Sequence, residues 1–306
     1  SAEEQEAAKK VKSAELKAAA DKLMEEGKFA DAAKTYGQAS KLDPNSEALP
    51  KLQKMAERKA KAQELKGAAE KLVDAKDYAN AVDTFDEALK FDPHNAEIQA
   101  ERDAAAKKAK ALELKKQGEA ELKDGKPDKA AATFLEALKF DPDSRAIQVD
   151  EAKAVKRIEA NKLKAEGIAL MDDQDYVKAA QKFNEAKGIN PSDSELTPLF
   201  TEAKRKAKAQ ALKQQGEHEC DLKQFADAVK SFEEGLTLDP DNGDAWAAFH
   251  RFLSLHGREE ERASVTRRCC AAEPRHGDEW CKVRKAMENA GKSTEDVLQI
   301  VSTKFA

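Results

Sequence analysis

The sequence predicts an all-α solenoid of helical hairpins, and three observations predict it. Five prolines, Pro44, Pro93, Pro142, Pro191 and Pro240, stand 49 residues apart, each after an aspartate or asparagine. A fixed period of this size marks a repeat array. Within each unit the apolar positions fall three and four apart, which is the period of a helix and not of a strand. The composition agrees: with 37% charged and 6% aromatic residues, a compact two-domain globule would have a poor core, whereas an array with much surface is ordinary.

Taken in order, each unit opens with a first helix marked by Leu16, Leu65, Leu114, Leu163 and Leu212, then by the small residues Ala20, Ala69, Gly118, Gly167 and Gly216. The stretches leading into it, such as Ser46–Glu64 and Ser192–Ala211, hold no glycine and are rich in strong helix formers. Pro50 and Pro198 sit near the expected helix starts, where proline is best tolerated. The first helix should therefore run to roughly 30 residues, about 45 Å. A short break follows, Glu26-Gly27-Lys28 in the first unit and Asp124-Gly125-Lys126-Pro127 in the third. A second helix of about 13 residues carries Ala32, Ala81, Ala130, Ala179 and Ala228, then Tyr36, Phe85, Phe134, Phe183 and Phe232, then Ala39, Ala88, Ala137, Ala186 and Gly235. The proline ends it, because proline cannot continue a helix and disfavours it in the residue before.

These positions resemble the tetratricopeptide repeat family in its pattern of large, small, alanine, aromatic, alanine and proline, over residues 13–240. The resemblance implies a right-handed solenoid in which the small residues let the helices of a hairpin approach and the aromatic fills the space between hairpins. It also implies a protein-interaction scaffold. An ordinary repeat of this family has about 34 residues, so each unit carries about 15 more, ahead of the first helix. Long helices paired with short ones should project, and the overhang needs its own packing. Leu49, Ile98, Ile147 and Leu196, then Ala7, Ala56, Ala105, Ala154 and Ala203, then Val11, Ala60, Ala109, Ile158 and Ala207 form an apolar seam for it.

After Pro240 the step drops to 34, to Pro274, with Trp246 and Trp280 each six residues past their proline. Residues 1–240 thus read as five extended repeats and 241–306 as standard-length repeats, with a unit over 241–274 and a final hairpin after it. Ser293-Thr294-Glu295-Asp296 has the form of a helix start with an acidic first turn. The stretch Gly243-Asp244-Ala245-Trp246-Ala247, with Phe249 and Leu255-His256-Gly257, is similar to the C-terminal end of the pre-mRNA-processing factor six family. So is Ala272-Glu273-Pro274-Arg275-His276-Gly277 with Trp280-Cys281. This resemblance implies half-a-TPR (HAT) repeats and a scaffold in assembly of the spliceosomal tri-snRNP, and hence a nuclear location, with the cytoplasm as the alternative if the tail does not report function.

Two sets of cations are candidate binding residues. The first comprises Lys17, Lys66, Lys115, Lys164 and Lys213, on the face that the family resemblance makes concave. There the co-chaperone subclass grips a carboxylate with lysine and asparagine, but here the asparagine position holds Asp21, Glu70, Glu119, Ile168 and Glu217. An acid at that position pairs with the lysine one turn back. The second set recurs at the same step of 49: Lys9-Lys10, Arg58-Lys59, Lys107-Lys108, Lys156-Arg157 and Arg205-Lys206. If first helices pack side by side, these pairs form a basic ladder able to hold an acidic protein surface or a nucleic-acid backbone despite the negative total charge, because fields are local. The alternative for the pairs is a solvated helix face balanced by nearby acids.

The net charge of −5 does not favour nucleic acid. No apolar run approaches the 18–20 or so residues of a membrane span, and no hydrophobic signal segment is present. Four cysteines, three of them in the tail, fit a reducing intracellular compartment. Cys269, Cys270, His276 and Cys281 lack the paired spacing of a zinc site, so no metal is expected, and Cys269 takes a small core position. With no phosphate loop and no nucleophile elbow, neither catalysis, cofactor nor small-molecule substrate is expected. Ala2–Asp21 aligns inside an extended helix, as if the chain had been cut from something longer. The expected function is a non-enzymatic scaffold for other proteins, in ribonucleoprotein assembly. The alternatives are a cytoskeletal or ciliary scaffold using the ladder on an acidic surface, or a co-chaperone adaptor.

Overall fold

The structure, a computed structural model, describes residues 2–305. Its regular elements, among the described residues, are all helical. The chain divides into two compact units, 1–155 and 156–306. The first holds α1 (Ala2–Glu25), α2 (Phe29–Leu42), α3 (Ala48–Asp74), α4 (Tyr78–Phe91), α5 (Ala96–Lys123), α6 (Pro127–Phe140) and the beginning of α7 (Arg145–Asp172). The second holds the remainder of α7, then α8 (Tyr176–Ile189), α9 (Leu196–Asp221) and α10 (Phe225–Leu238), followed by the tail helices α11 (Gly243–Leu255), α12 (Glu259–Ala272), α13 (Asp278–Lys285) and α14 (Thr294–Ser302).

The five hairpins expected from the period are present. Their first helices have 24 to 28 residues and their second helices 14. Each turn closes by a bond from five residues back, as in Lys28 N–H to Leu23 O at 2.8 Å and Asp77 N–H to Leu72 O at 2.8 Å. This is the capping pattern that needs a left-handed residue just past the helix, and Gly27 supplies it at φ +74°.

Packing corrects the expected overhang. In the first unit α2 lies against both α1 and α3, and α4 against both α3 and α5. Leu49 and Ala56, from the first half of α3, join Ala20, Ala32, Tyr36 and Ala39 in one core. Ala62 and Ala69, from its second half, join Phe85, Ile98 and Ala105 in the next. The extension is thus a second wall around the preceding short helix. At 3.6 residues per turn, Leu49 and Ala56 lie within about 20° of each other, as do Ala62 and Ala69, while the two pairs are about 140° apart. The apolar stripe changes side halfway along the helix. In α9 the same spacing recurs in Leu196 and Ala203, then Ala209 and Gly216, all buried. Ala7 and Val11, at the corresponding register of α1, are exposed.

The buried aromatic of each short helix rests on the small residue of its long partner. A β-carbon added at Gly118 or Gly167 would come within 2.6 Å of the Phe134 or Phe183 ring. In the first repeat the ring is Tyr36, whose hydroxyl donates to Asp21 at 2.5 Å, and burial followed by that contact pushes the phenol up to about 12.

The tail forms one core with α10: Phe232, Trp246, Phe249, Phe252, Trp280 and Leu298 are all buried in it. Both tryptophans donate from Nε1 to the carbonyl six residues back, Trp246 to Pro240 at 2.7 Å and Trp280 to Pro274 at 2.8 Å. The change of step to 34 therefore repeats a hydrogen bond as well as a sequence. The start proposed at Ser293 is a capping box, with Ser293 Oγ accepting from Asp296 N–H at 3.1 Å. The final hairpin is shorter than a standard one, since α13 stops at Lys285 and a 3-10 turn, Met287–Asn289, leads towards α14.

Candidate interaction surfaces

The lysines of the first set are each engaged by acids. Lys17 Nζ lies 2.7 Å from Asp21, and Lys213 Nζ 2.7 Å from Glu217. Lys66 meets Glu70 at 2.6 Å, Glu101 at 2.9 Å and Glu97 at 3.2 Å; Lys115 meets Glu119 and, at 2.9 Å, Asp150. The bonds to Glu70 and to Glu119 raise these two ammonium groups above the ordinary lysine value. Ile168 stands where the other repeats have an acid, and there Lys164 turns to Glu195 at 2.5 Å and Asp193 at 3.1 Å. Burial opposes the charge on Lys164, and the two carboxylates outweigh it. Across these repeats the charges are spent on one another.

The basic pairs divide by member. In the first unit Lys59 Nζ lies 5.5 Å from the Phe29 ring centre and Lys108 Nζ 5.7 Å from that of Tyr78. In the second, Lys206 Nζ lies 5.5 Å from the Tyr176 ring centre. Each ring opens the short helix of the preceding hairpin, so the cation joins neighbouring hairpins through a contact worth roughly 0.5–2 kcal/mol. The rings recur at the step of 49, but only the abutting helices reveal that a residue 30 positions on lies over them. The first members face outward more. Lys9, Arg58, Lys107 and Lys156 are exposed, as are the second members Lys10, Lys108 and Arg157, and Lys10 lies 3.6 Å from Glu6. Arg58 also donates to Lys90 O at 3.2 Å. Arg205 is tied to Glu202 at 2.6 Å.

Around Lys206 the second unit holds a buried polar junction. His276 Nε2 lies 3.1 Å from Lys206 Nζ and 3.1 Å from Asp239 Oδ2. Asp239 is 1% exposed. Burial works against its charge, and the bond to His276 with the nearby Lys206 and Arg205 holds the carboxyl below its usual range. The next turn is locked to this one. Gly243 N–H donates to His276 O at 2.8 Å, Arg275 grips Asp241 with Nη2 at 2.8 Å, and Asp244 Oδ1 accepts from Trp280 N–H at 2.8 Å to cap α13. Gly243 and Gly277 admit no side chain here: a β-carbon would fall 2.1 Å from Trp280 or 2.8 Å from Asp244.

The four cysteines are free thiols, and burial pushes Cys269 up to about 12. Among the described residues no group of three or more His, Cys, Asp or Glu side chains is placed to hold a metal ion. Among the same residues no helix is long and apolar enough to cross a membrane.

One feature of the tail had no signal in the repeat pattern. A cleft of about 820 Å³ lies among α11, α12 and α14, lined by His250, Arg251, Arg262, Arg267, Glu259 and Glu295. Its sides are helices separated in the chain, with the 3-10 turn lying between α13 and α14.

Long and short helices stacked through small and aromatic positions define an interaction protein of the helical-hairpin repeat class. The tetratricopeptide repeat family model matches residues 17–96, and a further segment of the chain is similar to one of Pre-mRNA-processing factor 6. Over 62 residues it is 48% identical to the human protein of that name, covering 20% of this chain and 7% of the relative. Over 61 residues it is 44% identical to Protein STABILIZED1 of Arabidopsis thaliana, covering 20% of this chain and 6% of the relative. The chain thus spans less than a tenth of the length of these relatives. Among solved structures it is similar to the P58(IPK) TPR domain, at 17% identity and a TM-score of 0.26, over 95% of this chain and 78% of that one.

Proposed function

We propose that this protein is an interaction scaffold in a pre-mRNA-processing assembly, acting in the nucleus, and that its tail is the part that ties it there. The observation that carries this reading is the 62-residue segment 48% identical to Pre-mRNA-processing factor 6. The repeats that match the general family model contribute length and surface. Affinity capture from nuclear extract with the full chain tests it, beside Gly243→Val, which drives a side chain into Trp280 and breaks the tail. Pre-mRNA-processing proteins should come down with the full chain and be lost with the variant. Capture of none, or equal capture by both, would sink the reading.

A second reading is favoured by the exposed first members of the basic pairs, Arg58 and Lys107, in the first unit. Here the scaffold, cytoskeletal or ciliary, holds an acidic surface through them. Arg58→Gln with Lys107→Gln should then weaken capture with no change in melting. Unchanged capture would leave those side chains as a solvated face.

A further inference from the structure

The cleft among α11, α12 and α14 has an uneven distribution of charge. At the start of α12 the acids are committed, Glu259 to Arg262 and Glu261 to Arg258. Arg251 Nε is buried and has no acceptor. Arg267 is exposed, and among the described residues no acid lies in ion-pair reach of it. A buried donor without an acceptor is costly in a folded protein, so a group that supplies one is favoured there.

His250, 7% exposed, completes the wall. Its Nδ1 lies 3.0 Å from Ser302 Oγ, and that hydroxyl donates onward to Leu298 O. The serine proton is therefore used, Nδ1–H is the donor to Ser302, and Nε2 keeps a lone pair. Burial and then the Arg262 charge lower the imidazole pKa, which keeps it neutral. The cleft thus offers guanidinium donors to an anion, and acceptors, His250 Nε2 with the Glu295 carboxylate, to N–H groups.

We propose that this cleft binds an acidic peptide segment of a partner protein, with an Asp or Glu carboxylate seated on Arg251 and Arg267. A peptide supplies both chemistries, a carboxylate for the arginines and amide N–H groups for the acceptors. A phosphodiester backbone carries a charge on every unit and no amide N–H groups, whereas a peptide can set one carboxylate on the arginines and turn its amides to the acceptors. The proposal rests on the scaffold reading and names where one partner is held.

The test is a titration of the full chain, with arginine side chains labelled with ¹⁵N, by a capped peptide of alternating Glu and Gly. Its counterpart with Gln for Glu is the control. The Glu peptide should shift the Arg251 Nε–H signal. Replacing its Glu by Gln, or introducing Arg267→Gln at the exposed position, should weaken binding on the order of tenfold or more. Equal affinity for the two peptides overturns the proposal, and so does binding that neither Arg267→Gln nor Arg251→Gln alters. Oligouridine that binds in place of the peptide, is lost with the same substitutions and shows a steep salt slope also overturns it. If Arg267→Gln still captures the partners that Gly243→Val loses, the scaffold reading stands and the cleft has no part in it.

Discussion

At the turn between the two helices of a hairpin, five residues spaced 49 apart take the left-handed conformation: Gly27 and Gly125 at φ +74°, Lys76 at +60°, Gln174 at +59° and Lys223 at +61°. A side chain there costs about 1–2 kcal/mol, which glycine avoids at some loss of unfolded-state entropy. Lys76→Gly and Lys223→Gly, both at exposed positions, should each stabilise the protein by about 0.5–1 kcal/mol in a urea melt. Glycine within the helices divides the same way. Gly67 has nothing within 4 Å of an added β-carbon, so Gly67→Ala should gain about 0.5–1 kcal/mol. Gly167→Ala gains the same propensity but meets the Phe183 ring at 2.6 Å. It should lose about 1 kcal/mol net, since overpacking costs about 1–3 kcal/mol. If the two substitutions stabilise equally, the ring yields freely.

The long helix is the element that departs most from the standard hairpin. Because its stripe changes side, substitutions in its first half are felt in the core of the preceding hairpin. Ala56→Leu and Ala105→Leu should each cost about 1–3 kcal/mol, whereas Ala7→Leu, at the same register but exposed, should stay within about 0.5 kcal/mol. Equal effects at the three positions, in thermal or urea melts, would contradict the second wall. The sequence already showed the helices, the glycine turn and the proline stop, because each rests on a strong local rule. It also contained the change of side, in the spacing seven, six, seven of Leu49, Ala56, Ala62 and Ala69. That signal is easily passed over, since alanine reads as neutral unless the core is known to be built from it. The cation over Tyr78 and the arginine cleft were not legible, because each needs the packing of distant segments. Asn289 Nδ2 donates to Val283 O at 2.9 Å in the turn that leads to α14, one wall of the cleft.

At the scale of the molecule, acid should be the condition that dismantles both units. Asp21 is held low by its bond to Lys17. For Asp150, Asp193 and Asp239 burial opposes the charge and their hydrogen-bonded partners prevail. A carboxyl whose folded pKa lies below its unfolded value of about 4 binds its proton more readily in the unfolded chain. The stability it contributes is complete above that value and is lost as pH falls through the lower folded one. Thermal midpoints should stay level from neutral pH to about 5 and then drop. Asp239→Asn should lower the midpoint at neutral pH and make the acid limb shallower. A midpoint that is level down to pH 3 would remove these carboxylates from the account.

The alternation of walls also bears on how such a chain can change length over generations. A single residue inserted between Ala56 and Ala62 turns one half of α3 by about 100° relative to the other and detaches one neighbour. Duplication or loss of one whole period of 49 residues restores every wall to phase, wherever the break falls. Related genes should therefore differ in this region by whole repeats, with odd lengths confined to the turns.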